Sequence, residues 1–318
     1  MAITEFSLTD DDVADQTRAT NERLAAAMEG RPALEEIDDP AASRAARERG
    51  EGPFAQAAPI PEGIDRTVPG RAGAIPVRIF RPAEPRGVLL HLHGGGWTLG
   101  SAGAQDPLLW GMSHAADVAV VSVGYRLAPE HPHPAAADDC EDAANWLMAE
   151  AAAEFGTGRL AIAGESAGAH LAALTLVRLA GRARAFRAAQ LTFGAYDLSM
   201  TPSQLAGHDK MFIPTRTMRW FYDQYLPGLG TAERRDPTVS PLYADLRGMP
   251  PARFTVGTED PLLDDSLFMA ARWQAAGNTA ELDVVADAAH GFIAFGGVAA
   301  ERELTRQVAF IAGAVAAG

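Results

Sequence analysis

The chain has 318 residues, 47% apolar and 21% charged, which is the composition of a globular protein and not of a disordered chain. Its 27 basic and 41 acidic residues leave a formal charge of −14, which argues against a nucleic-acid partner and against anionic membrane surfaces. Lys210 is the sole lysine and Cys140 the sole cysteine, so Schiff-base chemistry has one candidate and neither an intrachain disulfide nor a thiolate metal cluster can form.

Residues 1–6 followed by Asp10-Asp11-Asp12 lack the basic start and apolar stretch of a secretory leader. No apolar run approaches the ~18 residues of a membrane span, so a cytoplasmic protein is the expectation. Thr9 and Asp12 resemble a helix cap ahead of a sparse apolar stripe through Leu24, which predicts a helix to about residue 28. A second, Ala/Arg-rich stretch at 41–49 predicts a short helix, and Pro53, Pro59 and Pro61 then break the chain.

From about Arg66 strands and helices alternate. Strands are expected at 75–80, 88–92, 118–123, 159–163, 191–193, 253–256 and 282–285. Helices are expected at 135–155, 167–179, 264–276 and 301–315. The rhythm implies an α/β protein with a mostly parallel sheet flanked by helices. Residues 197–236 interrupt it with an aromatic-rich insertion holding Phe212, Trp220, Phe221, Tyr222 and Tyr225.

In open parallel sheets, active sites collect at the strand ends that open toward loops. Gly164-Glu165-Ser166-Ala167-Gly168 falls between a predicted strand and a predicted helix, the context in which G-x-S-x-G becomes a nucleophile elbow. The glycines keep side chains off the neighbouring strand and helix, and the helix from Ala167 points amides at the site. His93-Gly94-Gly95-Gly96-Trp97 follows another strand, and consecutive glycines let backbone amides turn into a pocket as oxyanion donors. The competing reading, a dinucleotide-binding turn, lacks the full G-x-G-x-x-G spacing.

A base and an orienting acid complete such a site. Among eight histidines, His290 alone sits in a loop after a late strand without belonging to the glycine loop, a helix or the insertion. His131 and His133 lie between prolines as turn residues, with a metal pair as the lesser reading. Asp260 follows the strand at 253–256, with Glu259, Asp264 and Asp197 as competitors; Asp264 reads as a helix N-cap. The order Ser166, Asp260, His290 is that of an α/β-hydrolase triad.

The chain at this point resembles the hormone-sensitive-lipase-like esterases, bacterial family IV. The resemblance rests on His93-Gly94-Gly95-Gly96-Trp97, Tyr125-Arg126-Leu127-Ala128-Pro129-Glu130-His131-Pro132, the serine elbow, Asp260-Pro261-Leu262 and His290-Gly291-Phe292, in the family's order. It implies an α/β-hydrolase fold with a helical cap: N-terminal cap helices over residues 1–65, and a catalytic domain over 66–318 carrying a cap insertion at about 197–236. It implies a serine carboxylesterase, with Ser166 as nucleophile, Asp260 as acid and His290 as base, and the aromatic-rich insertion over the strand ends leads to the expectation of a bounded pocket for short- to medium-chain esters. The oxyanion donors fall on the amides of Gly95, Gly96 and Ala167. No metal or cofactor is expected, the partner is a small-molecule ester, and there is room for a homodimer. Trp97, Phe212 and Trp220 are expected to line the substrate pocket. The chain departs from the commonest family pattern in Glu165, where aspartate is usual, and in Ala169, where glycine is frequent. The rival class is a ligand-binding protein on the same fold, which would have lost the histidine that is present here. Amide or lactone hydrolysis uses the same apparatus.

Overall fold

A computed structural model describes residues 4–8, 11–52 and 55–316. Thr9 and Pro53, expected as a cap residue and a chain breaker, lie outside them. The elements run β1 (Thr4–Leu8), α1 (Asp11–Met28), α2 (Leu34–Ile37), α3 (Pro40–Glu48), β2 (Ile64–Gly70), β3 (Gly73–Phe80), β4 (Gly87–Leu92), α4 (Asp106–Ala115) and β5 (Val118–Val123). They continue as α5 (Ala135–Phe155), β6 (Leu160–Glu165), α6 (Ala167–Leu179), β7 (Phe186–Thr192), α7 (Pro202–Ala206), α8 (Thr215–Tyr225) and α9 (Thr231–Arg234). The chain closes with β8 (Ala252–Gly257), α10 (Leu263–Ala275), β9 (Ala280–Val285) and α11 (Val298–Ala316).

The strands form one nine-stranded sheet in the order β1-β9-β8-β7-β6-β4-β5-β3-β2. Every neighbouring pair from β1 to β5 is parallel, while β3 pairs antiparallel with both β5 and β2. In β4 and β5 every residue is buried, because helices cover both faces, and such strands read as apolar runs without alternation. The order reverses around β4 and β6, and β6 ends directly on the Ser166 turn.

Three expectations shift. The strand expected at 191–193 is β7, which begins at Phe186. Its Ala188-Ala189-Gln190 core has weak strand propensity, yet the place between β6 and β8 imposes the ladder, and Gln190 meets Thr192 at 3.2 Å inside it. Asp264 is not the cap of α10. The Asp260-Pro261-Leu262 turn starts the helix at Leu263, so Asp264 falls in the first turn and accepts from Ser203 N at 2.8 Å. Lastly, β1 and β2, which carry no sequence signal above their surroundings, occupy the two edges of the sheet.

Two buried polar joints tie the insertion and the segment just after it to the core. Asp265 accepts from Tyr196 N (2.7 Å), Asp197 N (2.9 Å), Thr201 Oγ1 (2.8 Å) and Gln204 Nε2 (2.6 Å). Burial pushes its carboxyl up to about 7, although all four donors favour the ionised form. His170 on α6 accepts from Trp97 Nε1 at 3.0 Å and donates through Nε2 to Val239 O at 2.7 Å. Those two bonds fix a neutral tautomer.

Burial lowers the His170 pKa from 6.5 to about 3. A depressed histidine contributes stability above its unfolded pKa, and that contribution is lost as pH falls from about 6.5 toward about 3. Thermal unfolding across this window is therefore expected to show a falling midpoint in the wild type and a shallower fall in His170→Gln. Equal slopes would remove His170 from the acid sensitivity.

Candidate active site

Ser166 sits at the junction of β6 and α6 with φ 56° and ψ −121°, a conformation that L residues avoid. The turn leaves no space around it: a Cβ on Gly168 would lie 1.9 Å from Leu92 O. The helix that follows is almost wholly buried, so its N-terminal amides face the site in a poorly solvated setting.

His290 and Asp260 arrive from the loops after β9 and β8, which are paired strands. His290 Nε2 lies 3.0 Å from Ser166 Oγ, and Nδ1 lies 2.8 Å from Asp260 Oδ2. With the proton on Nδ1 donated to the carboxylate, Nε2 is left to accept from the serine hydroxyl. Asp260 also accepts from Leu262 N at 2.8 Å through its other oxygen, so one carboxylate both orients the imidazole and holds its own turn. Phe193 stands edge-on to the imidazole at 4.9 Å.

The competing acids are engaged elsewhere. Glu259 pairs with Lys210 at 2.5 Å, and Asp264 holds Ser203. Asp197 accepts from Ser199 N (2.8 Å), Ser199 Oγ (2.6 Å) and Tyr243 OH (2.8 Å). His133 Nδ1 contacts Tyr225 OH at 3.2 Å, and among the described residues no histidine, cysteine and carboxylate cluster could hold a metal.

The glycine loop is held by its carbonyls. Tyr125 OH donates to His93 O at 2.6 Å, and His93 Nδ1 donates to Gly94 O at 2.8 Å. Gly95 O accepts from Thr98 N and Leu99 N at 3.1 and 2.8 Å. In a trans peptide the N–H points opposite to the C=O of its plane. Committing the Gly94 and Gly95 carbonyls therefore turns the amides of Gly95 and Gly96 to the other side. Burial lowers the His93 pKa from 6.5 to about 4, which keeps this ring neutral. Tyr125 stacks on it at 4.2 Å. In the sequence Tyr125 stands out only as part of the Tyr125–Pro132 motif; its place two residues beyond the end of β5 is the signal that marks it.

A cavity of about 1400 Å³ opens above Ser166 and His290. Its walls include Met28, Leu34 and Ile37 from the N-terminal segment and Phe212, Phe221 and Tyr222 from the insertion. Phe212 lines it and stacks on Phe295 at 4.9 Å. Trp97 also lines it but is only 2% exposed, stacked on Tyr225 at 4.8 Å. Trp220 does not line it. Successive helix residues are turned by about 100°, so Trp220 faces away and donates to Asp38 Oδ1 at 2.7 Å, while Phe221 closes on Gly96.

Residues 89–294 match a family described as the alpha/beta hydrolase fold. The chain belongs to this family, among its hormone-sensitive-lipase-like carboxylic ester hydrolases. It is similar to carboxylic ester hydrolase LipN of Mycobacterium tuberculosis, 37% identical over 242 residues, spanning 72% of this chain and 64% of that protein. It is similar to ethyl acetate hydrolase of Pseudomonas putida, 34% identical over 240 residues, spanning 72% and 74%. A hyperthermophilic esterase from the archaeon Pyrobaculum calidifontis has a similar structure, with a TM-score of 0.80 and 30% identity over 89% of this chain and 96% of that one.

Tyr125→Phe removes the donor to His93 O while sparing the stack. It is expected to lower kcat about tenfold with little change in KM, less than the loss of a direct oxyanion donor. An unchanged kcat would show that the loop holds itself. Asp264→Ala should cost about 1 kcal/mol in denaturant unfolding, the worth of one hydrogen bond, and leave kcat alone.

Proposed function

We propose that the protein is a serine carboxylesterase that hydrolyses short- to medium-chain carboxylic esters through an acyl-enzyme. What supports this above all is the hydrogen-bonded string Ser166–His290–Asp260, at 3.0 and 2.8 Å, beside a largely apolar cavity. In this reading His290 takes the Ser166 proton as the oxygen attacks the ester carbonyl, and the amides of Gly95, Gly96 and Ala167 hold the oxyanion. Asp260 stabilises the imidazolium. His290 then protonates the departing alcohol and later activates the water that frees the acid. The reaction is complete in these side chains and calls on no cofactor.

Within residues 1–65, the helical segment α1–α3 acts here with the insertion at about 197–236 as a cap over a catalytic body, while β1, expected as part of the cap, belongs to the sheet of that body because it pairs with β9. The shared lining from both segments supports that division, as does the tie between Trp220 of α8 and Asp38 at the end of α2. Composition supports a cytoplasmic site of action: one cysteine cannot form an intrachain disulfide. Among the described residues no helix is long and apolar enough to cross a membrane.

Alanine at Ser166, His290 or Asp260 should lower kcat by about 10⁴-fold, because triad members act as a unit. Near-normal turnover in folded His290→Ala would overturn the assignment. A bounded cavity also limits acyl length. Each methylene that fits adds about 0.8 kcal/mol of burial and one that does not adds none. On p-nitrophenyl esters from acetate to palmitate, kcat/KM should climb while added methylenes are still buried and then collapse once the chain outgrows the cavity, at about eight carbons. Phe212→Ala and Phe221→Ala should move the collapse to longer chains, whereas Trp220→Ala should lower stability and leave it in place. A maximum on palmitate in the wild type would contradict the bounded cavity.

A further inference from the structure

Glu165, the position that departs from the usual aspartate, ends β6 immediately before the nucleophile. Its two carboxylate oxygens lie 3.0 and 3.3 Å from His91 Nε2, and His91 Nδ1 lies 3.0 Å from Ser122 Oγ. His91 and Ser122 are directly paired between β4 and β5, so the sheet register builds this string. The string ends on the Glu165 carboxyl group, which keeps acceptor capacity beyond its contact with His91, since a carboxylate accepts about four hydrogen bonds.

That carboxylate belongs to the cavity. The Glu165 side chain is 14% exposed and lines the same space as Ser166 and His290. Among the described residues, no lysine or arginine forms an ion pair with it: of the cations on the same walls, Lys210 and Arg216 are paired with Glu259 and Glu35, Arg31 donates to Ala27 O, and Arg47 enters from the N-terminal segment. Glu165 is the charged group that the central sheet contributes, the other lining carboxylates, Glu29, Glu51 and Asp209, coming from the N-terminal segment and the insertion. Phe193, Phe212, Phe221 and Tyr222 line the same cavity, and aromatic rings attract cations electrostatically.

We propose that Glu165, braced by His91 and Ser122, makes the cavity beside the nucleophile a subsite for a cationic group, so that esters carrying an alkylammonium are favoured over their neutral isosteres. The proposal rests on the serine-esterase reading. It deepens that reading by naming a class of substrate.

The test uses two isosteric pairs. Acetylcholine and 3,3-dimethylbutyl acetate differ in charge on the alcohol side. The p-nitrophenyl esters of 4-(trimethylammonio)butyrate and 5,5-dimethylhexanoate differ on the acyl side. The readout is the ratio of kcat/KM for the cationic over the neutral member, which cancels any general change in turnover. Glu165→Gln should lower that ratio about fivefold in at least one pair, the scale of a partly solvated ion pair. Glu165→Asp, which keeps the charge, should retain part of the preference. A ratio unchanged by Glu165→Gln in both pairs would overturn the subsite, because attraction to an acidic chain as a whole survives the loss of one charge. If wild type failed to hydrolyse p-nitrophenyl butyrate, or Ser166→Ala hydrolysed it equally well, the esterase reading itself would fall.

Discussion

Holding Ser166 at φ 56° and ψ −121° costs on the order of 1–3 kcal/mol, and much of the molecule is arranged around meeting that cost. The strain persists only where the surroundings over-determine it. Here β6 is clamped between β4 and β7, and Ser166 N donates to Thr192 O at 3.0 Å at the end of β7. Behind the serine, α6 is buried along nearly its whole length. Gly164 and Gly168 are required because a Cβ on the first would meet Gly168 at 2.4 Å and one on the second would meet Leu92 O. The result is a hydroxyl presented at the mouth of the sheet, with helix amides behind it.

The same sheet sets His290 and Asp260 against that hydroxyl. Since β8 and β9 are paired in register, the loops that carry Asp260 and His290 leave from adjacent points. Thr258 N donates to Val285 O at 3.0 Å, Glu259 N to Ala288 O at 3.1 Å and Asp287 N to Thr258 Oγ1 at 2.8 Å, so the two loops brace one another. The N-terminal segment joins in. Val13 of α1 lies in the same apolar cluster as Phe193, Val284 and Phe292, and Asn21 donates to Asp287 O at 2.6 Å. The histidine loop is therefore held by strands from the end of the chain and by a helix from its beginning.

Much of this was legible in sequence, for a physical reason. Strands such as β5 and helices such as α5 and α6 are long-buried or strongly patterned, and their observed ends coincide with the expected ones. The candidate site was legible because an elbow, a glycine loop and two late strand-end loops need particular residue types at particular places. What was not legible depends on neighbours far along the chain. The Ala-rich start of β7 becomes strand only because β6 and β8 flank it. Asp264 carries cap chemistry, yet the Asp260 turn starts the helix first. Trp220 and Phe221 differ in role by one helical step, and which of them faces the cavity depends on where α8 meets α2. His91, Glu165 and Ser122 are 31 and 74 residues apart and meet only through sheet register.

The central claim is that Ser166 is the nucleophile in a preorganised string with His290. An alkyl p-nitrophenyl phosphonate tests it directly, because attack forms a stable Oγ–P bond as p-nitrophenolate leaves and the hydroxyl proton passes to His290. The account predicts release of about one equivalent of p-nitrophenolate per chain, matching loss of esterase activity, and a single adduct on Ser166 by peptide mass spectrometry. Modification at another residue, or full activity in protein labelled on Ser166, would contradict it.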